Sequence, residues 1–266
     1  MKKRILSAIV MIIIFIPILL IGGKAFVVLT SLLAAMGLYE LLKLRSNENK
    51  VPLFMRLCSY LILIIICTRN ISSLDFNYTL DYKMISLIIF LFLFPLVFYN
   101  DNKKYNITDV LFLIGSVLFL GFSFNLLIIA RNYDLYRIIY LLLLSTMTDT
   151  FALITGKLVG KHKLVPKISP NKTIEGLLGG VIMGTFIASS FYHVFINPTI
   201  SLVMIILITT ALSIVGQIGD LVFSMIKRYY NKKDFSNLIP GHGGILDRFD
   251  SIIFIALAFI LVADIL

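Results

Sequence analysis

Residues 200–220 read ISLVMIILITTALSIVGQIGD, an apolar run that is long enough to cross a bilayer as one helix. A transmembrane helix needs about 20 such residues, because the hydrocarbon layer is roughly 30 Å thick. Similar runs recur along the whole chain: 59% of the residues are hydrophobic, 14% are charged, and the mean hydropathy is +0.98. This composition excludes a water-soluble globular protein and predicts an integral membrane protein.

The hydropathy pattern predicts an all-α polytopic membrane protein with nine transmembrane helices. The predicted spans are 5–21, 25–42, 53–68, 83–99, 107–130, 136–154, 176–196, 200–220 and 251–266. Lys and Arg residues concentrate on the cytoplasmic side of membrane proteins. Suppose that the N-terminus is cytoplasmic and the C-terminus is outside. The cytoplasmic side then holds all 24 Lys and Arg residues except Lys24, Arg69, Lys83, Arg131 and Arg137. We therefore expect this orientation in the plasma membrane, with a cytoplasmic face that attracts anionic lipids and nucleotides.

Motif content divides the chain into two parts. Residues 1–135 are expected to form a transmembrane scaffold with few motifs, whereas residues 136–266 carry helices and cytoplasmic loops with the candidate catalytic motifs. Two of these loops, 156–175 and 221–250, are longer, more polar and richer in Gly and Pro than the other connections. Because long non-repetitive loops in a compact protein are usually functional, we expect the chemistry there.

Three aspartates are predicted to meet at the cytoplasmic membrane face. Asp220 ends the eighth span, while Asp247 and Asp250 begin the ninth and lie on one helical face. Consecutive spans that a returning loop joins tend to pack as neighbours. Carboxylate oxygens suit Mg²⁺, so the three aspartates are candidate metal ligands and candidate catalytic residues. The alternative is that these acids are solvated and that Asp247 and Asp250 stabilise a helix N-terminus.

The residues after Asp220 continue one polar helical face. Ser224, Lys227 and Arg228 follow at helical spacing, so a hydroxyl group and two cations can lie beside the carboxylate and bind phosphate. The alternative for Lys227 and Arg228 is that they extend towards water at the end of a membrane helix.

The stretch SPNKTIEG at residues 169–176 offers further phosphate ligands. Ser169, Asn171 and Thr173 surround Lys172, which is a candidate clamp for a triphosphate and a candidate catalytic residue. These hydroxyl and amide side chains are also natural helix caps before the seventh span, so a capping role stays open.

The stretch PGHGG at residues 240–244 makes His242, Gly243 and Gly244 candidate substrate-binding residues. Glycine allows backbone N–H groups to approach an anion closely, and the start of the next helix attracts negative charge. The alternative is an ordinary turn with a structural histidine.

The motifs together resemble a known family. Residues 224–250, SMIKRYYNKKDFSNLIPGHGGILDRFD, are similar to the signature of the CDP-diacylglycerol synthases, also called phosphatidate cytidylyltransferases. The positions that match are Ser224, Lys227, Arg228, Lys233, Asp234, Pro240, Gly241, His242, Gly243, Gly244, Asp247, Arg248 and Asp250. Upstream, residues 167–176, residues 219–221 and the segment from Asp149 to His162 resemble further motifs of the family. The motifs cover the C-terminal half of the chain.

Three positions depart from the family pattern. Phe223 stands where relatives commonly have Glu, and Phe151 and Leu153 replace a usual Gly and Tyr. We assign no catalytic role to these three residues.

The resemblance implies an enzyme that transfers the cytidylyl group of CTP to phosphatidic acid, forming CDP-diacylglycerol and pyrophosphate for phospholipid biosynthesis. It implies Mg²⁺ as the cofactor, with a monovalent cation as a second candidate, and a homodimer in the lipid bilayer without a nucleic-acid partner. Asp220 and Asp247 are the expected principal metal ligands, with Asp250 as a further one. The expected phosphate clamps are Lys172, Lys227, Arg228 and Arg248.

Two other functions are weighed against this one. A transporter would also carry acids in its spans, but it would be expected to place them near the midplane, in a matching pair of interrupted helices that the sequence lacks. A CDP-alcohol phosphotransferase would carry a run of acids on adjacent helical turns that begins with Asp-Gly, and this run is absent from the sequence.

Overall fold

A computed structural model of the protein describes residues 2–46, 51–69, 82–99, 105–263 and 265. The described residues are mostly helical. The helices are α1 (Lys2–Ile21), α2 (Gly23–Arg45), α3 (Leu53–Cys67), α4 (Tyr82–Leu93), α5 (Pro95–Phe98), α6 (Ile107–Tyr133), α7 (Leu135–Val159), α8 (Ile174–Phe195), α9 (Leu202–Tyr229) and α10 (Leu246–Phe259).

Each predicted span overlaps a helix, although α10 ends at Phe259, seven residues before the end of the ninth predicted span. The first three spans correspond to α1, α2 and α3, the fourth to α4 and α5, and the last five to α6 through α10. Pro95 begins α5, where its missing N–H and fixed φ are tolerated. Helix α10 begins at Leu246, five residues before the predicted span, so that Asp247 and Asp250 lie within the helix.

Five helices, α2, α6, α7, α8 and α9, are long and apolar enough to cross a membrane. Shorter apolar helical stretches lie at Ile9–Ile21, Leu53–Cys67 and Tyr82–Phe98. The chain is therefore a multi-pass membrane protein, whereas the number of nine crossings and the orientation stay predictions. Lys50, Lys103 and Lys104, which count towards the predicted orientation, lie outside the described residues.

The prediction of an all-α chain is wrong at the connection between α7 and α8. Strands β1 (Lys163–Val165) and β2 (Ser169–Thr173) pair there in an antiparallel hairpin. The turn closes where Ile168 N donates to Val165 O at 3.1 Å, and Pro166 occupies the turn position that its fixed φ favours. Most of the stretch that could have capped α8 is therefore a strand, and its last residue, Thr173, is the N-cap.

The chain forms two compact units, which are described separately. The first comprises Met1–Ile129 and Phe235–Ile245, and the second comprises Ala130–Asp234 and Leu246–Leu266. In the first unit, α2 packs against α1 and α3. Arg45 at the end of α2 forms a 2.9 Å ion pair with Asp109 at the start of α6, and Asp109 is fully buried. This ion pair holds the two helix ends together.

In the second unit, α8 packs along α7 through a row of glycines. Gly176, Gly180 and Gly184 are spaced by four residues and lie on one face of α8. A Cβ atom at Gly180 would lie only 2.6 Å from Thr148 O on α7. Small residues at this spacing allow membrane helices to pack with their backbones close together. The backbone of α7 around Asp149 is therefore held against α8.

Candidate active site

A cavity of about 630 Å³ lies within the second unit, between α7, the β-hairpin, α8, α9 and α10. Four aspartates line it, one from α7, one from α9 and two from α10. The cations that line it are Lys157, Lys172 and Arg248. The cavity therefore brings together carboxylates and cations from segments that are far apart in the sequence.

The predicted aspartates Asp220, Asp247 and Asp250 all line this cavity. Asp149 of α7 is the fourth. The carboxylates of Asp149, Asp220 and Asp250 are close enough to repel one another electrostatically. Nearby cations reduce the repulsion and favour the charged form of such carboxylates.

One compensating cation comes from the hairpin. Lys172 Nζ lies 2.6 Å from Asp220 Oδ2, and both side chains are about one-quarter exposed, at 26% and 24%. The charge of Lys172 also attracts Asp149. The β-hairpin thus delivers a cation to the aspartate that ends the predicted eighth span.

The second compensating cation comes from α9. Lys227 Nζ donates to Asp247 Oδ1 at 2.7 Å, and the two side chains are only 11% and 3% exposed. The charge of Lys227 also attracts Asp250. Sequence reasoning made Lys227 a phosphate clamp, whereas in the structure it binds a carboxylate of the cavity.

The polar face predicted on α9 is present. Ser224 Oγ donates to Asp220 Oδ1 at 3.3 Å, as expected for residues one helical turn apart. Arg228 lies further along and donates to two backbone carbonyl oxygens, of Ile168 at 3.1 Å and of Lys232 at 2.9 Å. Arg228 therefore joins the end of α9 to the turn of the β-hairpin.

A glycine beside Asp220 lets α10 approach α9. A Cβ atom at Gly219 would lie 2.7 Å from the side chain of Phe254 on α10. One turn away, Phe223 is fully buried and its ring meets that of Phe254 at a centroid distance of 6.1 Å. Phe223, which stands where relatives commonly have Glu, therefore forms an apolar contact between α9 and α10. These two helices supply three of the four aspartates.

The hairpin is anchored by Thr173. Its Oγ1 accepts a hydrogen bond from Gly176 N at 3.1 Å, and its side chain is buried. Cβ atoms at Gly156, Gly160 and Gly176 would all come within about 3 Å of Thr173 Oγ1, so these glycines form its pocket. Thr173 and Asn171 line the cavity, and Ser169 begins β2.

Hydrogen bonds to Glu175 from the chain just before β1 steady the same hairpin. Glu175 Oε1 lies 2.6 Å from His162 Nδ1, and the carboxylate of Glu175 also accepts from the backbone N–H groups of Lys161 and His162. Glu175 lies in the first turn of α8, and its contacts tie that turn to the chain just before β1.

The Gly-rich loop belongs to the first unit. Gly241 and Gly243 have φ values of 80° and 83°, which L side chains rarely adopt. His242 Nδ1 lies 2.8 Å from Ser7 Oγ, which also donates to Pro240 O at 3.0 Å. The loop is thus fastened to α1.

Glu40 of α2 fastens the same loop at its other end. This fully buried carboxylate accepts hydrogen bonds at Oε1 from Ser236 Oγ at 2.6 Å and from Ile245 N at 2.8 Å. A Cβ atom at Gly244 would overlap the Glu40 carboxylate, so any other residue there would force this carboxylate to move. Sequence reasoning assigned nothing to Glu40, although an acid within a predicted apolar span is itself a signal of function.

The donor chemistry of the cavity fits Mg²⁺, which typically takes one or two carboxylates together with substrate phosphates and water. In the part of the chain that the structure describes, no three His, Cys, Asp or Glu side chains are arranged to hold a metal ion. Asp220 contacts Lys172 and Asp247 contacts Lys227, so one oxygen of each carboxylate already has a cationic partner. One or two aspartates with phosphate oxygens would complete such a site.

Three polar residues of the cavity are not among the site residues predicted from the sequence, although Asp149 belongs to the segment that resembles the family. Asp149 and Lys157 lie two turns apart on α7, and Gln217 on α9 donates to Leu177 O at 3.0 Å. Asp149 could have been found as an acid within a predicted span, by the argument used for Asp220. Lys157 and Gln217 carry no signal of that kind, because their place depends on how the helices pack.

Comparisons with known proteins bear on this site. The sequence profile of the Cytidylyltransferase family matches residues 2–266. A protein named phosphatidate cytidylyltransferase from Staphylococcus haemolyticus is 40% identical over 255 residues, which cover 96% of each chain. Proteins of the same name from Staphylococcus saprophyticus and Staphylococcus aureus are 39% and 37% identical, again over 96% of each chain. The similarity therefore extends well beyond the C-terminal motifs.

Proposed function

The chain belongs to the cytidylyltransferase family, and from this premise we propose that it transfers the cytidylyl group of CTP to phosphatidic acid, forming CDP-diacylglycerol and pyrophosphate. The observation that carries the proposal is the cavity in which Lys172 contacts Asp220 and Lys227 contacts Asp247. The cavity offers cations that can neutralise two polyanionic substrates and carboxylates that can hold a metal ion. The family match favours this enzyme over a transporter.

The reaction joins a phosphate oxygen of phosphatidic acid to the α-phosphorus of CTP. The bond from that phosphorus to the bridging oxygen breaks, and pyrophosphate leaves in line with the attacking oxygen. A phosphomonoester with a second pKa of about 6 is already anionic near neutral pH, so no strong general base is needed. The task of the protein is to position the two substrates and neutralise their charge.

We assign the charge neutralisation to the cations that line the cavity. Lys172 is the principal triphosphate clamp, because its partly exposed ammonium group can turn from Asp220 to a phosphate oxygen. Lys157 and Arg248 line the same cavity and supply further positive charge. Asn171 and Thr173 bring polar side chains from the hairpin to the substrates.

Asp220 and Asp247 would hold Mg²⁺ together with the substrate phosphates, and Asp250 lines the same cavity. When bound, the ion would neutralise the negative charge that develops on the departing pyrophosphate. Ser224 orients the Asp220 carboxylate through its 3.3 Å hydrogen bond, and Lys227 orients that of Asp247. Lys227 and Ser224 are therefore positioning residues in this proposal.

The test is to incubate the purified protein with labelled CTP, phosphatidic acid and Mg²⁺, and then to measure the label in the organic phase. Removing the metal with EDTA should abolish the product. Asp220→Asn should lower the rate about 100-fold or more, because it weakens both the metal site and the partner of Lys172. Asp134→Asn is the matched control, because Asp134 precedes α7 and makes no capping hydrogen bond. The proposal fails if no labelled lipid forms, or if Asp220→Asn behaves like the control.

The orientation, with a cytoplasmic N-terminus and cavity, completes the proposal and has its own test. Lys24 and Lys232 are both exposed and fall on opposite predicted sides of the membrane. A membrane-impermeant thiol reagent should label Lys24→Cys only from the outside and Lys232→Cys only in inside-out vesicles. The native Cys58 and Cys67 are buried and should give little background. Labelling of both variants from one side would refute the orientation.

A further inference from the structure

A second cavity, in the first unit, lies between the end of α2 and the start of α3. Its volume is about 420 Å³, and we call it the Lys43–Arg56 pocket. The polar side chains that line it are Tyr39, Lys43, Ser46, Arg56 and Tyr60. None of them has a role in the cytidylyl transfer proposed above.

The Lys43–Arg56 pocket is positively charged. Neither Lys43 nor Arg56 forms an ion pair within the described part of the chain, and no acidic side chain described by the structure lines the pocket. Lys43 Nζ lies 5.8 Å from the centre of the Tyr39 ring. Tyr60 interacts electrostatically with both Tyr39 and Arg56. Two cations and two phenol groups therefore surround one space.

The start of α3 adds to the positive potential. This helix has 15 residues and begins after Pro52, which provides no side-chain hydrogen bond to the first N–H groups. Val51 and Leu53, on either side of Pro52, line the pocket. A helix N-terminus favours a nearby anion, and Arg56 in the first turn is itself disfavoured there unless an anion is present. The helix end and the side chains thus favour the same kind of ligand.

An apolar track leads from this charged space along α3. Leu53, Leu57 and Leu61 are four residues apart and are 63%, 54% and 63% exposed, and Leu53 and Leu57 also line the pocket. A free phosphate ion would use only the cations. A lipid would use both features, with its phosphate between Lys43 and Arg56 and an acyl chain along the leucines.

We infer that the Lys43–Arg56 pocket binds the headgroup of an anionic phospholipid, at a site separate from the catalytic cavity. The phosphate accepts from the ammonium group of Lys43 and the guanidinium group of Arg56, and the tyrosine hydroxyl groups can donate to the remaining oxygens. The acyl chains lie against the exposed leucines of α3.

The test measures binding of phosphatidylglycerol to the purified protein in detergent by native mass spectrometry, without CTP or metal. The double variant Lys43→Gln/Arg56→Gln should bind this lipid about 25-fold more weakly, since each basic residue near a lipid phosphate contributes about fivefold. The matched control is Lys24→Gln, because Lys24 is an exposed cation at the opposite end of α2. Phosphatidylcholine should bind weakly to all three proteins.

Two further arms decide whether the ligand is a lipid. Leu61→Ser should weaken binding of phosphatidylglycerol although it leaves both cations in place. Inorganic phosphate should not displace the lipid at equal concentration. The inference is overturned if the double variant and Lys24→Gln lose the same affinity, or if phosphate alone competes as well as the lipid. Because no turnover is measured, these outcomes are independent of the proposed enzyme activity.

Discussion

Lys227→Met is the most informative single change, because the structure gives the two lysine–aspartate pairs of the cavity very different burial. The pair of Lys227 and Asp247 is 11% and 3% exposed, whereas the pair of Lys172 and Asp220 is 26% and 24% exposed. Removing one partner of a buried ion pair costs about 3–5 kcal/mol, because a charge stays behind in a poorly solvated place. Removing one partner of a partly exposed pair costs about 1 kcal/mol or less.

We therefore expect Lys227→Met to destabilise the protein several times more than Lys172→Met. For a chain of this size, the first change should lower the melting temperature by roughly 10 °C and the second by roughly 2–4 °C. Methionine keeps most of the length and apolar volume of the lysine side chain, so the difference reports the charge. The measurement is thermal unfolding in detergent without CTP and without metal.

A double variant tests the cause of the effect. In Lys227→Met/Asp247→Asn, both charges are gone, and more than half of the lost stability should return because no charged carboxylate is left without its cation. If the effects of the two single changes simply add, the stability does not come from the ion pair. The reasoning is also wrong if Lys227→Met and Lys172→Met have equal melting temperatures.

Three shorter predictions concern other parts of the molecule. Gly180→Ala should destabilise the protein by about 1–3 kcal/mol, because its Cβ atom would press on the backbone of α7. Unfolding measurements should show that Gly115→Ala is tolerated, because a Cβ atom at Gly115 would meet open space. Glu40→Ala should cost about 1–3 kcal/mol of folding stability, because Ile245 N loses its acceptor. Glu40→Gln keeps an oxygen and should lose less in the same unfolding measurement. Asp149→Asn should lower the rate of CDP-diacylglycerol formation without preventing folding, since Asp149 lines the cavity; an unchanged rate would remove it from the site.

The sequence predicted the helices well because membrane helices are specified by local composition. A run such as residues 200–220 has no soluble alternative, since its backbone must satisfy its own hydrogen bonds in lipid. The spacing of Asp220 and Ser224 also predicted their contact correctly, because residues one turn apart on a helix always face each other. Both predictions needed only information within one segment.

The β-hairpin could not be predicted in this way. Strand β2 has five residues and β1 has three, which is too short for a recognisable alternation of apolar and polar side chains. Its sequence also matches the residue preferences of a helix cap, and Thr173 does cap α8. The pairing depends on the distance between the ends of α7 and α8, which only the packed structure fixes.

Glu40 was missed for a different reason. Glu40 belongs to the N-terminal half of the chain, where no motif surrounds it and points to a function. A lone glutamate within the apolar run 25–42 was nevertheless the strongest local signal there, because an unexplained acid within a membrane helix is costly. Its partners, Ser236 and Ile245, lie about 200 residues away in the sequence.

Burial also separates two lysines that the sequence treated alike. Both Lys172 and Lys227 were expected to clamp phosphate, because each lies near hydroxyl groups and a helix end. A lysine can bind substrate only if it can exchange its carboxylate for a phosphate oxygen, and that exchange requires access to the cavity. Lys172, on the hairpin and one-quarter exposed, has this access, whereas Lys227 is 11% exposed and joins α9 to α10 through Asp247. Lys172 is therefore suited to bind a phosphate of the substrate. Lys227 is suited to hold Asp247, which the substrate and its metal ion require.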